Sequence, residues 1–117
     1  MKISKTIYFE ACHHLPNYDG DCSKLHGHSY RLEVIVDGHV NRKTGMLIDF
    51  KELKRAIEAT CGKYDHSDLN DHFKMPTAEL MVLKICEDLT KLLRKTITVK
   101  LWETKYSYAE CRCKYDD

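Results

Sequence analysis

A run of alternating apolar residues headed by two histidines constrains this chain more than any other feature. From His26 to about Val36, the apolar residues Leu32, Val34 and Val36 share one parity with His26 and His28. This period-2 pattern predicts a strand with one buried face, and it puts both imidazoles on the apolar side of the sheet. Side chains two apart on a strand are separated by roughly 6.5–7 Å, so two such rings can converge on one cation if a third ligand comes from another element. Ile3 to His13 alternates in the same way. Ile3, Ile7, Phe9, Ala11 and His13 take one parity and Ser4, Thr6, Tyr8 and Glu10 the other. One buried face therefore ends in a histidine and the next begins with two. Alone, His13 reads as a core histidine satisfied by a hydrogen bond; beside a His-x-His it reads as a ligand. His14 has the opposite parity and is expected at the surface.

Three histidines and an open fourth position form the donor set of a catalytic zinc, whereas a structural zinc is closed by four protein ligands. Cys22 precedes His26 by four residues. From the residues alone it is either the fourth ligand of a structural site or a reactive thiol beside the metal. The chain has six cysteines. It opens Met-Lys-Ile-Ser-Lys-Thr-Ile-Tyr, without the apolar run of a signal peptide, so reduced thiols and a cytoplasmic location are expected. Cys61 and Cys86 fall at apolar helix positions and read as small buried hydrophobes. Cys111 and Cys113 either complete a zinc site or point together into a packed face. No Cys-x-x-Cys is present.

With 117 residues the chain is expected to be a single domain, 1–117, with a core of its own. Nineteen Lys and Arg against eighteen Asp and Glu leave a net charge of +1, with no basic stripe for nucleic acid. Apolar runs are too short to span a bilayer.

Asp37-Gly38 predicts a turn, and Gly45 to Ile48 a short extended piece. Asp49 with Glu52 fits a capping box opening a helix that carries Phe50, Leu53, Ile57 and Cys61, with Gly62 as its stop. Tyr64 to Lys74 is polar and irregular. Pro76-Thr77 opens a second helix, Thr77 as N-cap, with Ala78, Val82, Ile85 and Leu89 as its stripe and Leu92 and Leu93 closing it. A strand from Thr96 to about Glu103 and another from Tyr106 to Cys113 complete the order. Glu103 shares the parity of Ile97, Val99 and Leu101. An acid on an apolar face is costly without a partner, unless it lies past the strand end in solvent. The expected fold class is α+β: a four-stranded antiparallel sheet with two helices on one face. Its open edges favour pairing with other subunits into a homo-oligomer.

Six ordered segments resemble the 6-pyruvoyl-tetrahydropterin synthase family of tunnelling-fold enzymes. They are Phe9-Glu10-Ala11-Cys12-His13, Cys22-Ser23-Lys24-Leu25-His26-Gly27-His28, Gly45 to Phe50, Asp65-His66 with Leu69-Asn70, Pro76-Thr77-Ala78-Glu79, and Glu103-Thr104. The three residues between Cys22 and His26 resemble the 6-carboxytetrahydropterin synthase branch. Cys12 stands where a small residue is usual and Leu80 where asparagine is frequent. The resemblance implies that His13, His26 and His28 bind zinc and that Cys22, Asp65 and His66 are catalytic. It also implies that Glu103, Thr104 and Thr77 contact the pterin. The implied reaction converts 7,8-dihydroneopterin triphosphate to 6-carboxy-5,6,7,8-tetrahydropterin, with loss of acetaldehyde and triphosphate, on the route to queuosine. The implied assembly is a barrel-forming hexamer of two trimers, with the pocket between subunits. The alternatives are a pyruvoyl-type synthase, an aldolase-like pterin enzyme, or a non-enzymatic domain with a structural zinc.

Overall fold

The computed structural model describes residues 1–116. Two long strands, β1 (Lys2–His13) and β2 (His26–Asp37), form an antiparallel ladder running from Lys2 opposite Asp37 to His13 opposite His26. A two-residue strand β3 (Ser67–Asp68) lies parallel to β1, while β4 (Thr96–Thr104) and β5 (Ser107–Cys113) extend the sheet beyond β2. The strand order is β3-β1-β2-β4-β5.

Alternation decides which face is buried. Phe9, Tyr30, Leu32, Val34, Val36, Ile97, Val99 and Leu101 point to one side and are almost wholly buried. They meet Leu53, Ala56 and Ile57 of α1 (Phe50–Cys61) and Met81, Val82, Ile85 and Leu89 of α2 (Ala78–Leu93). Burying each large aliphatic side chain contributes about 1.5–3 kcal/mol, so this layer holds the helices on the sheet. The other face carries polar and charged residues. Neither helix is long and apolar enough to cross a membrane.

Several expectations are corrected. The sheet has five strands, because β3 pairs with Ala11 and Cys12. Its two polar residues offer no alternation to read. The segment around it is also better packed than its composition suggests, with Tyr64 and Leu69 fully buried. Gly45 to Ile48 forms no strand. Asn41 bridges to Met46 around a turn in which Gly45 takes φ 75° and the Asn41 carboxamide accepts from the Lys43 and Thr44 amides. Phe50 and Leu92 are exposed at 58% and 56%, so they lie off the helix stripes assigned to them. Asp49 caps α1 by accepting from Lys51 N at 2.8 Å, one position earlier than a capping box requires. Thr77 caps α2 as expected, accepting from Leu80 N at 3.2 Å. α2 ends on Arg94 in the left-handed region, φ 56°, a position no glycine marks. β5 starts at Ser107, leaving Tyr106 in the hairpin turn.

Candidate metal centre

β1 ends and β2 begins on the same rung of the ladder, and this brings the three histidines together. His13 lies opposite His26, and Ala11 opposite His28. The ring centroids are 4.6 Å apart for His13 and His26, 5.0 Å for His13 and His28, and 4.9 Å for His26 and His28. One nitrogen from each ring lies within 4.8 Å of the other two.

Backbone carbonyls fix the tautomers. Pro76 O accepts from His13 Nδ1 at 2.8 Å and Lys24 O from His26 Nδ1 at 2.7 Å. A carbonyl can only accept, so both Nδ1 atoms carry hydrogen and both Nε2 atoms keep a lone pair. His13 Nε2 and His28 Nε2 are buried without a hydrogen-bond partner. Leaving such atoms unpaired costs about 1–3 kcal/mol each, and coordination of a cation removes that cost. The donor set fits zinc: three imidazoles, two of them oriented through their second nitrogens by backbone carbonyls. Burial lowers the His28 pKa, and His13 and His26 add to this, while the charge of Glu103 opposes it. A depressed pKa keeps the ring neutral, the form a metal needs. Tyr30 packs edge-on against His13 and His28 and closes the floor of the site. Burial, with the Glu103 charge second, pushes its phenol pKa up.

Glu103 is half-buried, on the inward parity of β4, where the β4–β5 register slips by one residue between Trp102 and Thr104. A bulge of this kind re-aims a side chain beside a site. Here it puts an acid on the wall of a groove of about 410 Å³ shared with Leu15, Tyr18, Thr77 and Glu79. Thr77 is half-buried there, its hydroxyl engaged by the helix cap. Thr104 is exposed at the end of β4, its hydroxyl accepting from Tyr106 N at 3.3 Å.

Cys22 lies in a 3-10 turn, Asp21–Ser23, half-buried. Its carbonyl accepts from Leu15 N at 2.8 Å, which folds the loop back onto the end of β1 close to His13. His14 is half-buried rather than a free surface residue, because the Asn70 side chain accepts from its amide and donates to its carbonyl.

Asp65 and His66 form a pair at 3.0 Å, Nδ1 to Oδ1. They hang on Glu10: its amide donates to Asp65 Oδ1 at 3.0 Å, and its carbonyl accepts from His66 N at 2.6 Å. The Glu10 amide, with His66 adding to it, holds the Asp65 carboxyl below the usual carboxylate range. His66 adopts φ 56° and its side chain is 80% exposed. Glu10 is three residues from His13, roughly 10 Å along the strand, and has the opposite parity. His66 lines a cleft of about 500 Å³ with residues 10–12, 27–29, 67 and 68, so His28 borders it as well. The structure thus brings the three histidines together with Glu103 beside them, seats Thr77 in the same groove as Glu103, leaves Cys22 on the loop that folds back at Leu15, and puts His66 in a cleft that His28 also borders. The Pro76 and Lys24 carbonyls were invisible in sequence, since any residue supplies a carbonyl. Tyr30 was signalled by its parity with His26 and His28.

An antiparallel sheet with two helices on one face and three imidazoles converging at the end of its central ladder defines a tunnelling-fold protein. Residues 2–114 match the family described as 6-pyruvoyl tetrahydropterin synthase, and the chain belongs to that family. The 6-carboxy-5,6,7,8-tetrahydropterin synthase of Bacillus subtilis is 31% identical over 97% of this chain and 86% of its own. The dihydroneopterin monophosphate aldolase of Pyrococcus furiosus is 37% identical over 68% of this chain and 71% of its own. The 6-pyruvoyl tetrahydropterin synthase structure from Caenorhabditis elegans superposes with a TM-score of 0.86 at 22% identity, covering 97% of this chain and 96% of the other.

Proposed function

We propose that the protein is a zinc-dependent 6-carboxy-5,6,7,8-tetrahydropterin synthase, acting on 7,8-dihydroneopterin triphosphate and releasing acetaldehyde and triphosphate. The observation that carries the reading is the convergence of His13, His26 and His28, with the Nε2 atoms of His13 and His28 buried and unpartnered, beside a half-buried Glu103. The relative from Bacillus subtilis and the three-residue spacing from Cys22 to His26 support the carboxypterin branch.

His13, His26 and His28 would hold the zinc, which supplies Lewis-acid stabilisation for charge developing on the side-chain oxygens of the substrate. Glu103 receives the pterin edge, its carboxylate accepting from the ring N–H and the exocyclic amine. That partner answers the cost of an acid on an inner face. Cys22 takes the proton from the substrate side chain. The thiolate is the form that can accept a proton, so Cys22 works with a base beside it. His66 is suited to that role. Its Nδ1–H donates to Asp65, which leaves Nε2 as the acceptor, in the generalised logic of nucleophile, base and orienting acid. The exposure of His66 fits service to the site of a neighbouring subunit. The sheet ends in β3 and β5, whose outer edges offer pairing surfaces for a homo-oligomer, and a hexamer is the assembly proposed.

The test is incubation of the zinc-loaded protein with 7,8-dihydroneopterin triphosphate, following pterins and acetaldehyde together, with Cys22→Ala as control. Carboxypterin and acetaldehyde in equal amounts, both lost in the variant, are expected. A hydroxymethyl or pyruvoyl pterin would move the protein to another branch. Tightly held zinc without turnover would make the metal structural.

A further inference from the structure

Away from the histidines, at the contact between α2 and β5, lies a second group of soft donors. Cys86 on α2 and Cys111 and Cys113 on β5 have sulfurs all within 4.8 Å of one another. The placement follows from two periodicities. Cys111 and Cys113 are two apart on a strand, opposite Val99 and Ile97, so both turn to the helix-covered face. Cys86 lies on the buried stripe of α2 with Val82, Ile85 and Leu89 and comes down between them. All six cysteines are free thiols, so these sulfurs are available as donors.

We propose that Cys86, Cys111 and Cys113 form a three-sulfur site for a soft, thiophilic cation, of which Cu(I) is the type case, separate from the histidine centre and independent of its chemistry. A cation about 2.3 Å from each of three sulfurs in a plane holds them about 4.0 Å apart, within reach of the spacing present. Zinc in a closed site needs a fourth donor. Among the described residues the group consists of these three alone. The neighbouring Thr90 hydroxyl is already turned to the Cys86 carbonyl, donating at 2.7 Å. Sulfur-only, three-coordinate surroundings select soft ions over borderline or hard ones. A further feature favours binding. The Cys86 thiol has two carbonyl acceptors, Ile97 O at 3.2 Å and Cys111 O at 3.3 Å, and it gives up only weak hydrogen bonds on binding. On binding, sulfur–metal bonds form, each thiolate made sends its proton to solvent, and the ion keeps its oxidation state. Cys111 and Cys113 are half-buried rather than sealed in the core.

The experiment titrates the full chain, reduced and preloaded with zinc, with Cu(I) under anaerobic conditions against a competing chelator. It follows the ultraviolet thiolate-to-copper absorption and the copper retained on gel filtration. One Cu(I) per chain is expected, both in the native chain and in a Cys12→Ser/Cys22→Ser variant. In Cys111→Ser/Cys113→Ser, and in the gentler Cys113→Ala, binding should weaken by about 100-fold or more while circular dichroism stays native. Three results overturn the proposal: no copper held against the chelator, undiminished binding in a folded Cys111→Ser/Cys113→Ser or Cys113→Ala protein, or loss of binding in Cys12→Ser/Cys22→Ser.

Discussion

His13 Nδ1 donates to the carbonyl of Pro76 at 2.8 Å, across 63 residues of chain. The bond ties the end of β1 to the start of α2 and decides which imidazole nitrogen faces His26 and His28. Any residue at this position would offer the same acceptor, because it is the backbone carbonyl that acts, and the Thr77 cap behind it fixes where that carbonyl points.

Replacing any one of the three histidines by alanine should therefore empty the centre. Metal analysis after gel filtration is expected to fall from about one zinc per chain to a small fraction of that, since three protein ligands leave none to spare. His14→Ala, whose ring does not belong to the group, should keep its metal.

Thr77→Ala should destabilise the fold by about 1 kcal/mol, the usual worth of a helix cap, read as a lower denaturant midpoint at unchanged slope. Thr77→Ser should restore most of it. Because the cap also fixes Pro76, the alanine variant should hold zinc more weakly than its stability loss alone explains.

Glu103→Gln tests the pterin anchor. A charge-assisted hydrogen bond contributes about 1.5–3 kcal/mol, so pterin binding should weaken by about 10- to 100-fold with zinc content intact. Glu103 also raises the His28 pKa against the lowering effect of burial. Its neutralisation should move His28 further down, which nuclear magnetic resonance of the metal-free protein would record.

Alkaline pH should unfold the protein. Cys61 is pushed by burial from its ordinary 9.0 to about 12, and Tyr64 from 10.0 to about 12. The unfolded chain loses these protons first. The stability they contribute is complete below pH 9 and disappears as pH rises toward 12. Cys61→Ala should flatten the pH dependence in this window by about one proton, measured from denaturation midpoints at successive pH values.

What could be read in the sequence was whatever alternation records. The histidines were legible because β1 and β2 each bury one face, so that parity with Phe9 or Leu32 is also a statement about direction. Glu103 was legible for the same reason, and the bulge that aims it was not, since a register slip leaves no mark in composition. β3 is held to Ala11 and Cys12, and the His66 amide to the Glu10 carbonyl, through the main chain, links no pattern of side chains encodes. Phe50 shows the opposite failure: an apolar residue at a helix start fits the stripe by type, yet it lies exposed. The grouping of Cys86 with Cys111 and Cys113 depends on how α2 lies across β5, a tertiary relation between residues the sequence treated separately.

His13 and His26 occupy the last rung of the β1–β2 ladder, and everything from His14 to Leu25 hangs between them, Cys22 included. A cation shared by these two rings would act as a crossbar at the neck of that loop, removing the chain entropy of an open neck. Order in the loop and occupancy of the ring of imidazoles then become one equilibrium seen from two ends. Nicking by a protease around Tyr18 to Gly20, where the chain is exposed, would register the presence of the ion without any substrate being turned over.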